Sequence, residues 1–163
     1  IRDSCKTALL FESATHSAGV LAISNSSKVK EEYVASIRSY GHHFGMAYQL
    51  VDDLLDYVGN KKIMGKNTGD DLSEGKVTLP IILALAKTNG KERDNLLYAL
   101  KQKSSANMEE IIGIITKSGA IEDTRKAALH EIGQAREHLL NLPENEYRYA
   151  LESLTDYSAN RIF

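Results

Sequence analysis

Residues 29–57 read VKEEYVASIRSYGHHFGMAYQLVDDLLDY, and their spacing decides the fold class. Apolar and small residues recur along this stretch at alternating steps of three and four positions. The members of this stripe are Val34, Ile37, Gly41, Phe44, Tyr48, Val51, Leu55 and Val58. Such a period is typical of an amphipathic α-helix. The stretch therefore predicts one long helix of about 28 residues, roughly 40 Å at the usual rise per residue.

A polar stripe lies beside the apolar one on the same helix. It consists of Gly45, Gln49, Asp52 and Asp56, and Asp53 reaches the same side as Asp56 because residues three and four apart share a helix face. Carboxylates this close repel one another, so a cation is needed if they are to stay ionised. Mg²⁺ is the natural candidate because hard oxygen ligands suit it.

The rest of the chain also reads as helical, with no segment that shows a convincing period of two. Helices are predicted at about 1–23, 77–87, 91–101, 108–117, 121–140 and 147–160, and a glycine-rich loop at 59–75. The last helix places Tyr147, Ala150, Leu151, Leu154 and Tyr157 on one face. The fold is predicted to be all-α, a single domain over residues 1–163 with its helices packed as an antiparallel bundle.

Two glycines inside the long helix weaken it and need a reason. For Gly41 we favour close packing against another helix. For Gly45 both close packing and room for a ligand remain open.

Composition excludes several functional classes. The 163 residues are 42% hydrophobic and 26% charged, as in ordinary globular domains, and the net charge of −2 gives no electrostatic case for binding nucleic acid or an anionic membrane. No apolar run is long enough to span a bilayer, so no transmembrane segment is expected. The lone cysteine, Cys5, rules out an internal disulfide and fits a reducing, cytoplasmic compartment.

Lysines accompany the carboxylates, which is unusual for a simple metal cage. The polar residues that stand out are Lys6, Thr7, Gln49, Asp52, Asp53, Asp56, Lys66, Asp71 and Lys76. This mixture suits a diphosphate carried on Mg²⁺. The carboxylates would hold the metal, the metal would hold phosphate oxygens, and the lysines would neutralise the remaining charge.

Three blocks of the sequence carry a resemblance to a known family. Residues 49–56, QLVDDLLD, resemble the second aspartate-rich DDxxD motif of the trans-prenyltransferases, the polyprenyl (isoprenyl) diphosphate synthases. Residues 65–80, GKNTGDDLSEGKVTLP, resemble the block that follows it, and residues 6–11, KTALLF, the Lys-Thr segment that precedes it. Order and spacing agree over the whole chain, and the bacterial octaprenyl diphosphate synthase type is nearest in style.

The resemblance implies an isoprenoid synthase-like fold and a Mg²⁺-dependent prenyltransferase. Such an enzyme adds isopentenyl diphosphate to an allylic prenyl diphosphate in isoprenoid biosynthesis of the quinone side-chain type, as a homodimer when full-length. For the metal, the resemblance implies that Asp52 is the main Mg²⁺ ligand, that Asp53 and Asp56 support it and that Asp71 acts in the outer shell. For the allylic diphosphate, it implies that Lys6 and Lys66 contact it and that Thr7 and Gln49 assist by hydrogen bonds. Lys76 completes the positive rim.

One departure from the family pattern bears on activity. The family's first aspartate-rich motif, the arginine pair beside it and the isopentenyl diphosphate site lie in an N-terminal half with no counterpart in these residues. We therefore expect a C-terminal half, a partial version of the fold that is inactive alone. Two alternatives stay open: a terpene cyclase of the same fold, whose usual motif here is asparagine/serine-rich, and a non-catalytic subunit.

Overall fold

The computed structural model describes residues 2–58, 69–103 and 107–161, with side chains from residue 6 onward. Within these ranges all regular secondary structure is α-helical, which confirms the predicted fold class. The helices are α1 (Arg2–Asn25), α2 (Glu31–Val58), α3 (Asp70–Ser73), α4 (Leu79–Lys87), α5 (Gly90–Gln102), α6 (Met108–Lys117), α7 (Ala120–Leu140) and α8 (Glu146–Asn160). None of these helices combines the length and apolar character needed to cross a membrane.

The chain divides into two compact units, with one division inside α2 and the other inside α7. The mid-chain unit contains Asp52–Lys126, and the terminal unit contains Arg2–Val51 together with Ala127–Phe163. A single domain over residues 1–163 stays a prediction.

In the terminal unit, α1 and α2 pack antiparallel at very short range. A Cβ atom added at Gly41 would lie 2.1 Å from Thr15 Oγ1 and 2.7 Å from the carbonyl oxygen of Phe11. One added at Gly45 would lie 2.7 Å from the Cα atom of Ala8. The close-packing interpretation of Gly41 is thus confirmed, and Gly45 has the same reason. A larger side chain at either position would force the helices apart.

The core of the terminal unit is built around Tyr40 of α2. Its ring is buried with Phe44, Ala135 and Leu139, and its hydroxyl group donates to the carbonyl oxygen of Leu151 over 3.3 Å. The aromatic residues of α2 therefore fix this helix against both α7 and α8.

Helix α8 packs through a different face from its most apolar one. Its buried residues are Thr155, Ser158 and Ala159, whereas Tyr147 and Tyr157 are 74% and 67% exposed. Small side chains allow α8 to approach Tyr40 closely, and Leu151 is the larger apolar residue that packs beside them.

The mid-chain unit has its own apolar core. Its fully buried side chains include Leu54, Leu72, Ile81, Leu96 and Ile115. These side chains come from the last two turns of α2 and from each of the helices α3 to α6. Each unit can therefore stabilise its own helices by apolar burial.

The segment that follows α2 differs from the sequence expectation. The predicted loop at 59–75 contains the short helix α3, which Gly69 and Gly75 flank with φ angles of 85° and 75°. Helix α4 begins at Leu79 instead of Val77, because Thr78 has extended backbone at its N-cap. Residues 59–68 of the predicted loop lie outside the described residues.

Candidate functional site

The first pair of predicted site residues meets between α1 and α2. The hydroxyl group of Thr7 donates to Gln49 Oε1 over 2.7 Å, a partly buried hydrogen bond. Lys6 precedes Thr7 and is exposed. All three are predicted site residues, and two of them, Thr7 and Gln49, bond to each other.

The paired aspartates of α2 differ in their exposure. Asp53 is only 3% exposed, whereas Asp52 is half-buried. Asp52 follows Gln49 by three positions and so lies about one turn further along α2. A carboxylate as buried as Asp53 is stable only when hydrogen-bond donors or a cation compensate its charge.

Asp56 is bound to the segment that carries α3. Its Oδ1 accepts the backbone N–H of Asp70 at 3.2 Å and its Oδ2 accepts that of Asp71 at 3.3 Å. The backbone carbonyl oxygen of Asp56 also accepts the N–H of Gly69 at 2.9 Å. Three successive N–H groups are therefore satisfied by one residue.

Burial and neighbouring carboxylates both disfavour the ionised form of Asp56. Burial, and after it the nearby Asp71 carboxylate, raise the pKa of Asp56 to about 6, although the N–H donors of Asp71 and Asp70 oppose the shift. A carboxyl group at this pKa is partly protonated near neutral pH. A divalent cation beside it would favour the ionised form.

Asp71 and Lys76 form an ion pair within the same segment. Lys76 Nζ lies 2.8 Å from Asp71 Oδ1 and 2.9 Å from Glu74 Oε2. These hydrogen bonds raise the pKa of Lys76 above its usual range, so the lysine stays charged at neutral pH. The backbone N–H of Lys76 also donates to the carbonyl oxygen of Asp71 at 2.8 Å.

The far end of this segment is tied to α2 by a contact that sequence reasoning missed. The hydroxyl group of Tyr57 lies 3.0 Å from Thr78 Oγ1, and both residues are buried. Burial raises the pKa of Tyr57, so its hydroxyl group keeps its proton and can take part in this hydrogen bond as a donor. The sequence signal was only the adjacency of Tyr57 to Asp56.

The donor set fits Mg²⁺ that shares its coordination with a substrate. Across residues 2–58, 69–103 and 107–161, no three His, Cys, Asp or Glu side chains form a ready metal site. Mg²⁺ commonly takes one or two protein carboxylates and completes its shell with water and phosphate oxygens. Asp52 and Asp53 could provide those carboxylates. A cation beside Asp56 would also offset the effect of burial and of the Asp71 carboxylate on its pKa.

The structure thus brings together some of the predicted residues within each unit. It joins Thr7 with Gln49 in the terminal unit, and Asp56, Asp71 and Lys76 in the mid-chain unit. Lys66 lies outside the described residues. The metal and diphosphate roles of the nine residues stay predictions.

Comparison with known proteins gives a consistent picture. The family model described as polyprenyl synthetase matches residues 3–115. The chain is 41% identical to the all-trans-nonaprenyl-diphosphate synthase (geranyl-diphosphate specific) of Rhodobacter capsulatus, over 96% of this chain and 46% of the relative. It is 35% identical to the octaprenyl diphosphate synthase of Escherichia coli (strain K12), over 96% of this chain and 47% of the relative.

A solved structure shares the fold. The polyprenyl synthase of Caulobacter crescentus CB15, crystallised with calcium and isoprenyl diphosphate, superposes with a TM-score of 0.83 at 35% identity. The match covers 98% of this chain and 48% of that one. The chain therefore spans about half the length of the relatives that it matches.

Proposed function

The chain belongs to the polyprenyl synthetase family, and we propose that it supplies the second aspartate-rich half of a trans-prenyltransferase site. The reaction proposed is the addition of isopentenyl diphosphate to an allylic prenyl diphosphate. The observation that carries the proposal is the cluster at the end of α2, where Asp52, Asp53 and Asp56 precede a segment that presents the Asp71–Lys76 ion pair.

Asp52 and Asp53 are proposed to bind the metal ion, with Asp52 as the main ligand. Asp52 is the more accessible of the two, so it can reach an ion that also contacts substrate. Asp53 would add charge from a buried position. Asp56 supports the metal in the proposal, and Asp71 acts from the outer shell. A bound Mg²⁺ would neutralise the diphosphate as it leaves.

The cationic and hydrogen-bonding residues are proposed to hold the diphosphate. Lys6 is exposed, and Lys76 is charged and partly exposed, so both can meet an anionic ligand. Lys66 takes the same role by its place in the motif. Thr7 and Gln49 would contact phosphate oxygens through their hydrogen-bonding groups. Lysines near the departing diphosphate stabilise the negative charge that develops on it.

The proposed reaction has three steps. The carbon–oxygen bond of the allylic diphosphate breaks, and diphosphate leaves with the electron pair. The double bond of isopentenyl diphosphate then attacks the allylic cation and forms a carbon–carbon bond. Loss of a proton restores a double bond in a product one isoprene unit longer. A homodimeric full-length enzyme and a cytoplasmic location are part of the proposal, the latter because a single cysteine suits a reducing compartment.

A calorimetric titration of the chain tests the site assignment. Inorganic pyrophosphate should bind in the presence of Mg²⁺ and bind far more weakly without it. Asp52→Ala should remove the Mg²⁺-dependent part, while Asp94→Ala, at an exposed position of α5, should leave it intact. Unchanged binding by the Asp52 variant would refute the assignment, and no binding by the wild type would favour a non-catalytic subunit.

A further inference from the structure

We propose that Asp56 is a positioning residue, which holds the α3 segment so that Asp71 and Lys76 are presented to the diphosphate. This inference rests on the proposed function and deepens it. It separates Asp56 from Asp52 and Asp53, although all three belong to one aspartate-rich motif. The starting observation is that both carboxylate oxygens of Asp56 already accept backbone N–H groups.

The geometry of these contacts is that of an anchor. The N–H groups of Gly69, Asp70 and Asp71 all point to Asp56, the first to its carbonyl oxygen and the others to its carboxylate. Hydrogen bonds with an ionised acceptor are stronger than neutral ones. The start of the segment is therefore held at three consecutive positions by a single residue of α2.

Asp71 couples the position of this segment to that of Lys76. Asp71 receives the backbone N–H of Lys76 on its carbonyl oxygen and the ammonium group on Oδ1, both at 2.8 Å. Leu72, between them, is fully buried. Displacing the backbone at Asp71 would therefore move the ammonium group as well.

The same turn of α2 also holds the other end of the segment. Tyr57, which follows Asp56, pairs with Thr78 across 3.0 Å. The segment 69–78 is thus tied to two adjacent residues of α2. Asp56 therefore acts on the diphosphate through Asp71 and Lys76.

Hydrogen–deuterium exchange tests the anchor directly. Asp56→Asn keeps the size of the side chain but replaces one acceptor oxygen by an NH₂ donor. The amides of Asp70 and Asp71 should then exchange at least about tenfold faster. Asp52→Asn, one turn earlier on the same helix, is the matched control and should leave exchange at these amides as in the wild type. Equal exchange in the Asp56 variant and the wild type would overturn the inference.

A double-mutant comparison tests the route through Asp71. Loss of a residue that only orients others typically weakens metal-dependent binding by about 10–100-fold. We expect Asp56→Asn to weaken Mg²⁺-dependent pyrophosphate binding within this range, and Asp71→Asn to add little when combined with it. If Asp56 bound the metal by itself, the fold-changes of the two single variants would multiply in the double variant. That result would refute the positioning role of Asp56.

The two measurements separate this inference from the proposed function. If the wild type bound no pyrophosphate with Mg²⁺, the proposed function would fall together with the presentation of Lys76, while the exchange result would still decide whether Asp56 is the anchor. If circular dichroism showed that Asp56→Asn does not fold, Asp56→Glu would replace it. The added methylene keeps the charge but displaces the oxygens, so positioning again predicts faster exchange.

Discussion

The hydroxyl group of Thr7 donates to Gln49 Oε1 over 2.7 Å, and this contact joins the first two long helices at the end that carries Lys6. Thr7→Val should therefore destabilise the protein by about 1 kcal/mol, because a partly buried hydrogen bond is lost at nearly constant volume. Urea unfolding measures the change. Ser13→Ala, at an exposed position of α1, should stay within about 0.5 kcal/mol of the wild type. Equal losses in the two variants would contradict the structural importance of the Thr7 contact.

A methyl group added at Gly45 should destabilise the protein. The Cβ atom of Gly45→Ala would meet the Cα atom of Ala8 at 2.7 Å, so we expect a loss of about 1–3 kcal/mol in the free energy of unfolding. Gly133→Ala is the control, since no neighbouring atom lies within 4 Å of the new Cβ atom in α7. That variant should gain up to about 1 kcal/mol from helix propensity. Effects of the same sign would refute close packing as the reason for Gly45.

Acidification below about pH 6.5 should remove a stabilising contribution that comes from His138, against the opposite contribution of Asp56, whose pKa is raised. Burial, and then the neighbouring His43, lower the pKa of His138, while Glu137 opposes the shift. The ring of His43 stacks on that of His138 and also bonds Glu131. Because the folded pKa lies below the unfolded one, the unfolded state binds the proton first, and stability is lost as the pH falls.

Comparison of two variants isolates this effect. Between pH 7.5 and pH 5.5, the change in urea stability of His138→Gln should be less unfavourable than that of the wild type, because the contribution of His138 is absent. His130→Gln, exposed on the same helix, should keep the wild-type pH dependence. An unchanged pH dependence in the His138 variant would show that His138 makes no such contribution.

The 163-residue chain should not elongate a prenyl diphosphate by itself. It spans about half the length of its relatives, and the resemblance assigns the isopentenyl diphosphate site to the other half. The assay is product analysis after incubation with geranyl diphosphate, isopentenyl diphosphate and Mg²⁺, with a full-length family member as positive control. A longer prenyl product from the chain alone would overturn the expectation.

The existence of α2 could be predicted from the sequence, but its rotation could not. The buried stripe runs through Tyr40, Phe44, Ala47, Val51 and Leu54. The predicted stripe shared Phe44 and Val51 with it but included Tyr48 and Val58, which are 38% and 43% exposed. Apolar periodicity locates a face only approximately, because neighbouring helices decide whether a small alanine or a large tyrosine turns inward.

The short helix α3 could not be predicted at all from periodicity. Four residues are too few to show a helical period, and the flanking glycines favour a turn. Its anchor, Asp56, lies 14 positions before Asp70. Local patterns carry no information about a contact over that separation. The sequence therefore predicted a metal-supporting role for Asp56 but not its hydrogen bonds to the backbone N–H groups of Asp70 and Asp71.

The site residues were easier to select than to pair. Thr7, Gln49, Asp71 and Lys76 stood out by type and position, yet their contacts depend on how helices and turns meet. For Thr7 and Gln49, the close approach of α1 and α2 decides the pairing. In the sequence, only Gly41 and Gly45 indicate this close approach, and they do not show which residues of α1 lie against them.

Those glycines also set the register of α1 along α2. Gly41 and Gly45 lie one helical turn apart, and each receives residues of α1 in the space where a side chain would be. A helix seated in this way moves lengthwise most readily in steps of a whole turn, about 5.4 Å. One such step would carry Thr7 out of reach of Gln49. The two glycines therefore fix the register of α1 along α2. The Lys6–Thr7 end is either aligned with Gln49 or displaced from it by a whole helical turn.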